Sequence, residues 1–128
     1  MGLDMYAHRV KSEDAIDDFT IAKGEDDMTK AEDLFYWRKH HDLHGWMEQL
    51  YRKKGGEDEF NCRAVRLTEE DLMALEWDLQ NNLLPKTTGF FFGDNPPDLE
   101  SIKNDMKFIW EAREAIKEGD AVYYDSWW

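Results

Sequence analysis

Three histidines crowd into His40-His41-Asp42-Leu43-His44, and His40 and His44 stand four apart, the separation at which two imidazoles share one helical face and could ligate one metal ion. A zinc protease sets a glutamate directly after the first histidine of such a pair and adds a distant third ligand. The chain offers neither, so no metal is expected and the histidines read as packing or surface residues. Cys62 is the single cysteine. Paired with His44 it would make a nucleophile, but its surroundings match no nucleophile motif, and such cysteines are usually small buried hydrophobes. Gly89-Phe90-Phe91-Phe92-Gly93 has the wrong spacing for a phosphate-cradling loop, and its phenylalanines look like core. No catalytic residue and no cofactor is assigned on these grounds.

Charge distribution says more than any motif. Sixteen Lys and Arg against twenty-nine Asp and Glu give a net charge of −13, a field that repels nucleic-acid backbones and anionic membranes over a Debye length of about 8 Å. Direct nucleic-acid or membrane binding is therefore not expected. Yet Leu34 to Lys54 carries Arg38, Lys39, Arg52, Lys53 and Lys54 against only Asp42 and Glu48, with Tyr36, Trp37 and Trp46 among them. Cations for a phosphate or carboxylate beside aromatics for stacking are the parts of a site for a small anionic, nucleotide-like ligand. The alternative is that Arg38 and Lys39 pair with the protein's own surplus carboxylates while the aromatics fill the core.

The elements that must carry these residues follow from periodicity. Leu3 to Val10 alternates, with Leu3, Met5 and Ala7 on one face and Tyr6, His8 and Val10 on the other, as in a strand with one face buried. Ser12 to Met28 is an acidic loop. Thr29 with Glu32 makes a capping-box signature, and the spacing predicts one long helix from there to Arg52, ended by Gly55-Gly56. Cys62 to Leu67 reads as a strand passing directly into a helix capped at Thr68 and Asp71, with Leu72, Leu75 and Leu79 inward and a stop near Asn82, before Pro85. Thr87 to Phe92 reads as another strand. Pro96-Pro97 then starts a helix striped by Leu99, Ile102, Met106, Ile109 and Ile116 up to Gly119, and Ala121 to Tyr124 forms a last strand.

The expectation is one α+β domain over 1–128, with about three helices packed on a small sheet of three to four strands in the order β-α-β-α-β-α-β. The 41% hydrophobic content is enough for a core of its own. With one cysteine, no leader-like start and no long apolar run, a soluble protein of the cytosol is expected. Two terminal tryptophans are costly to leave wet, so Trp127 and Trp128 either fold back against the long helix, the favoured expectation, or form a contact surface.

With these segments placed, the chain resembles a family of small uncharacterised phage and prophage proteins. The resemblance spans nearly the whole length. It rests on Gly2-Leu3-Asp4-Met5-Tyr6, on Tyr36-Trp37-Arg38-Lys39 followed by His44 and Trp46, on Cys62, on Leu83-Leu84-Pro85 leading to Gly89-Phe90-Phe91-Phe92-Gly93, and on the Tyr- and Trp-rich end. Members are sometimes labelled phosphoglycerate kinase, a label for which this chain has no matching motif. The family pattern has small or amide residues at the positions of His40 and His41, a departure that weakens a metal reading further. The resemblance implies a phage or prophage setting, so that the cytosol expected above is that of the host cell, and directs attention to Asp4, Tyr6, Tyr36, Trp37, Arg38, Lys39, His44 and Trp46.

Three roles compete. The leading one is a non-catalytic binding protein that modulates a host process or defence, with a small anionic ligand held on the long helix. The second is an acidic inhibitor that imitates nucleic acid and occupies the groove of a basic host protein with carboxylates from Glu13 to Asp27. The third is a small enzyme using His44 as acid or base.

Overall fold

Alternation in the opening segment becomes the centre of a sheet. The computed structural model describes residues 3–15, 17–19, 32–38, 40–60, 63–81, 83–84 and 99–127. Strand β1 (Asp4–Lys11) lies between β2 (Glu32–Arg38) and β4 (Asp120–Trp127), and the short β3 (Val65–Leu67) pairs with the far side of β4. The order is β2-β1-β4-β3 and every pairing is antiparallel. Helices α1 (His41–Lys53), α2 (Glu69–Gln80) and α3 (Leu99–Lys117) complete an α+β fold.

All three helices cover one face. Met5, Ala7, Trp37, Val65, Leu67, Val122 and Tyr124 project from the sheet into a core shared with Leu43 and Met47 of α1, Leu72 and Leu75 of α2, and Phe108 and Ile109 of α3. The partners in register agree, since Met5 sits opposite Trp37 and Ala7 opposite Tyr124. On the opposite face a small cluster of Val10, Ala64, Ala121 and Tyr123 packs with Ala15 at one end of the sheet. The Tyr123 hydroxyl there donates to the Asp17 carbonyl. Asp4, Tyr6 and Tyr36 occupy the other end of that face.

Local signals explain most boundaries. The Thr68 side chain accepts from the Asp71 amide and the Asp71 side chain accepts from the Thr68 amide, the reciprocal capping expected at the start of α2. Gly55 (φ 111°) follows the end of α1 and Gly119 (φ 97°) that of α3, each in the left-handed region where a side chain is strained.

One expectation fails. The helix predicted from Thr29 to Arg52 begins only at His41, and residues 32–38 form β2 instead. Leu34-Phe35-Tyr36-Trp37 is rich in strand formers, and Phe35 and Trp37 face inward while Tyr36 and Arg38 face outward, a period of two that pairing with β1 rewards. A local capping signature does not outweigh a ladder of that kind. Among the described residues the order is therefore β-β-α-β-α-α-β. Thr29, Cys62, Pro85 and the strand expected at 87–92 lie outside the described residues.

The expected fold-back of the terminal tryptophans is corrected for Trp127. Tyr123 and Tyr124 are buried, but Trp127 closes β4 with 63% of its surface exposed. Trp128 lies outside the described residues.

Candidate functional site

Cross-strand register builds a grid on the open end of the sheet. Asp4 lies between Arg38 and Trp127, Tyr6 between Tyr36 and Asp125, and His8 between Asp33 and Tyr123. Each row runs across β2, β1 and β4, and alternation along β1 puts all three rows on one face. Asp33 reaches that face only through an irregularity. Tyr6 to His8 spans two residues on β1 while Tyr36 to Asp33 spans three on β2, so Leu34 is the extra residue of a bulge. Without it, Asp33 and Tyr36 would point to opposite faces.

The side chains interlock. Tyr36 donates its hydroxyl to Asp4 Oδ1 at 2.8 Å, and its ring lies 5.3 Å from that of Tyr6 at a 48° tilt. Tyr6 in turn stacks on His8 at 6.1 Å and 19°. His8 Nδ1 is 3.3 Å from Asp33 Oδ1, and His8 Nε2 is 3.2 Å from Asp125 Oδ2. Burial disfavours the charged imidazole, but the hydrogen bond and charge of Asp125, joined by Asp33, outweigh it and raise the His8 pKa above its ordinary value. The Tyr36 phenol is raised by its bond to Asp4, and the Tyr6 phenol by slight burial and the surrounding carboxylates. Both remain neutral donors. Arg38 Nε stands 3.8 Å from Asp4 Oδ1, an exposed pair beyond hydrogen-bond range. Tyr6, Asp33, Leu34, Phe35 and Tyr36 line a shallow depression of about 310 Å3.

The sequence-derived site therefore divides. Asp4, Tyr6, Tyr36 and Arg38 meet on this face, although Tyr36 and Arg38 sit on β2 and not on a helix. Trp37, the residue between them, points the other way and donates its indole N–H to buried Asp105 at 3.0 Å. Asp105 also meets His40 Nε2 at 2.6 Å, so one carboxylate of α3 fastens the end of β2 and the entry to α1. His44 is in the core, where Nδ1 lies 2.7 Å from the Tyr124 hydroxyl and the ring stacks on Phe60. Trp46 donates to Asp78 at 2.8 Å across the α1–α2 groove. Lys39 lies outside the described residues.

These positions also break up the basic helix. Arg38 belongs to β2, Lys54 is tied to Asp71 Oδ2 and the Arg66 carbonyl at 2.6 Å each, and Arg52 pairs with Glu48 on its own helix. His40 precedes α1 and turns to Asp105 while His44 turns to Tyr124, so the two imidazoles do not converge. Among the described residues no group of three or more His, Cys, Asp or Glu is arranged to hold a metal ion.

Sequence reasoning did not bring His8, Asp33, Asp125 and Trp127 into this site. The parity of β1 already set His8 beside Tyr6, which was the available signal. Asp33 was hidden by the bulge, and Asp125 and Trp127 by ending the last strand at Tyr124. No protein-family model, curated protein or solved structure matches the chain. No described helix is long and apolar enough to cross a membrane.

Proposed function

We propose that the chain is a non-catalytic binding protein whose open sheet face docks a basic segment of another protein; in the phage setting that the sequence resemblance implies, this is a host protein whose activity it modulates. The observation that carries the reading is the grid itself. Three carboxylates, Asp4, Asp33 and Asp125, stand among Tyr6, Tyr36 and Trp127 on a β surface that no described helix covers. Carboxylates accept from guanidinium groups and exposed rings offer faces to cations, so the chemistry suits arginine and lysine side chains. Tyr36 and Trp127 are 53% and 63% exposed, the residue types that anchor protein interfaces.

The same geometry argues for a basic partner over a small anionic ligand. Arg38, a protonated His8 and Arg66, which lies opposite Tyr123 on β3, are the cations of the described face, and the first two already stand next to a carboxylate. The net charge of −13 adds long-range attraction for a basic groove. Asp17 and Asp18 follow β1 and adjoin the Tyr123 end of the face, extending its sign. An acidic inhibitor that competes with nucleic acid is the form of this role that the charge favours. A role for His44 in catalysis has less support, since 1% of that residue reaches solvent.

The test compares two double variants of equal charge change. Affinity for a short oligoarginine peptide should fall roughly tenfold in Asp4→Asn/Asp33→Asn, about 0.7 kcal/mol for each exposed charge lost. It should change by less than about threefold in Glu69→Gln/Glu70→Gln, on the exposed start of α2. Equal losses in the two would reduce the binding to net charge and remove the sheet face from the account.

A further inference from the structure

Among the groups of the open face, His8 has geometry that the docking reading alone does not explain. It is 5% exposed, and each ring nitrogen faces a carboxylate oxygen: Nδ1 that of Asp33 on β2, Nε2 that of Asp125 on β4. Carboxylates only accept. A neutral imidazole has one N–H and one lone pair, so it can satisfy one of these carboxylates while turning its lone pair toward the other; only the imidazolium donates to both. The arrangement is built for the protonated ring.

We propose, resting on the docking reading above, that His8 couples docking to a proton: a cationic side chain that takes up Asp33 displaces half of the clamp on the imidazolium, and the ring gives up its proton as the partner binds. Asp33 can serve both functions because its side chain is 89% exposed on the edge strand, within reach of a partner and of His8 at once. Asp125, 26% exposed, stays behind as the single remaining acceptor for a neutral ring. The other groups around His8 do not replace Asp33. Tyr6 stacks from the same strand and Tyr123 faces it from β4, both with phenols raised and therefore uncharged. Arg66 of β3, the next residue of the same row, and Asp17 and Asp18 from the segment after β1 act on Tyr123, and the Asp4–Arg38 pair sits two rows away.

The chemistry balances simply. One N–H bond of the imidazolium breaks, the proton passes to water or buffer, and the cation of the partner takes its place beside Asp33. The face thereby becomes more negative as it is occupied, and docking strengthens as pH rises through the His8 titration. With one full proton released, affinity increases by up to about tenfold per pH unit in that window. Below it the face carries its own cation and competes with the partner.

Calorimetry of the whole protein with an oligoarginine peptide, run in phosphate and in Tris at a pH near the His8 midpoint, reads the released proton directly as a difference in heat. We expect release of up to one proton, and a His8 midpoint in ring-proton NMR that lies above the ordinary value in the free protein and moves down when peptide is added. In His8→Gln the buffer dependence should vanish. Should that variant fail to fold, Asp33→Asn on the exposed edge should lower the midpoint and abolish the release. Binding with buffer-independent heat, or proton release that persists in these variants, overturns the linkage and leaves docking standing. No binding at all overturns docking and the linkage with it.

Discussion

Acidification should turn the His44–Tyr124 pair from a support of the core into its weak point. His44 is buried in α1 against Phe60, and that burial, followed by the neighbouring charge of His41, pulls its pKa from the ordinary 6.5 to about 4. The unfolded chain takes up this proton at the ordinary value and the folded protein only near 4. Between these limits the unfolded state holds more protons, so stability is complete above about pH 6.5 and is lost as pH falls toward 4. At 1.36 kcal/mol per pH unit the whole window amounts to roughly 3 kcal/mol, and the part from 6.5 to 5 to about 2 kcal/mol. His8 works in the opposite direction. Its raised pKa contributes stability that is present below the unfolded value and lost as pH rises through the folded one, so the wild-type curve contains both slopes. The double variant His44→Phe/Tyr124→Phe isolates the first, because it removes the buried titrating ring and its hydroxyl partner together and leaves His8 in place. Either single variant removes the hydrogen bond between these two buried polar groups and should cost about 1–3 kcal/mol, whereas the double should cost less than the sum. Urea unfolding followed by tryptophan fluorescence at several pH values between 5 and 7 measures this. Relative to the double variant, wild type should lose about 2 kcal/mol on going from pH 6.5 to 5. Parallel curves for the two would mean that burial of His44 does not set the acid limb of stability.

Other consequences concern the joints that hold the sheet face in place. Asp105→Ala leaves the Trp37 indole N–H and His40 without their shared acceptor in the core, and should lower stability by about 3 kcal/mol, with Asp105→Asn costing less; thermal melts of the two variants give the comparison. A Cβ at Gly56 would fall 2.3 Å from the Tyr51 ring, which is itself stacked on Phe60 at 4.8 Å. Gly56→Ala should therefore cost about 1–3 kcal/mol by overpacking. Gly55→Ala meets no atom and should cost about 1 kcal/mol through its positive φ alone, a difference that denaturant midpoints resolve.

Much of the fold was legible because local and tertiary preferences agree. Met5 and Ala7 alternate with Tyr6 and His8, Thr68 and Asp71 cap a helix with Leu72, Leu75 and Leu79 on one side, and Gly119 separates α3 from β4; each pattern appears in the structure as written. Residues 32–38 were misread because a capping signature lies just ahead of them, while the force that makes them a strand, pairing with β1 across some twenty intervening residues, has no local trace. The site shows the same division. Asp4, Tyr6, Tyr36 and Arg38 were identifiable as polar and aromatic residues in excess of what a core requires. Trp37 was swept in with them because a helical reading puts neighbours on nearby faces, whereas in a strand they oppose. Asp33 could not have been found by counting, since a bulge at Leu34 reverses its parity.

The central claim is that the grid of Asp4, Tyr6, Tyr36, Asp125 and Trp127 is a docking surface for a basic partner. Chemical-shift mapping of the labelled protein titrated with an oligoarginine peptide tests it most directly. Saturable shifts are expected on β1, the Tyr36 end of β2, and Asp125 to Trp127, including the Trp127 indole N–H. Shifts spread evenly over the acidic surface, or centred on α2 or α3 with the sheet face unmoved, would contradict it.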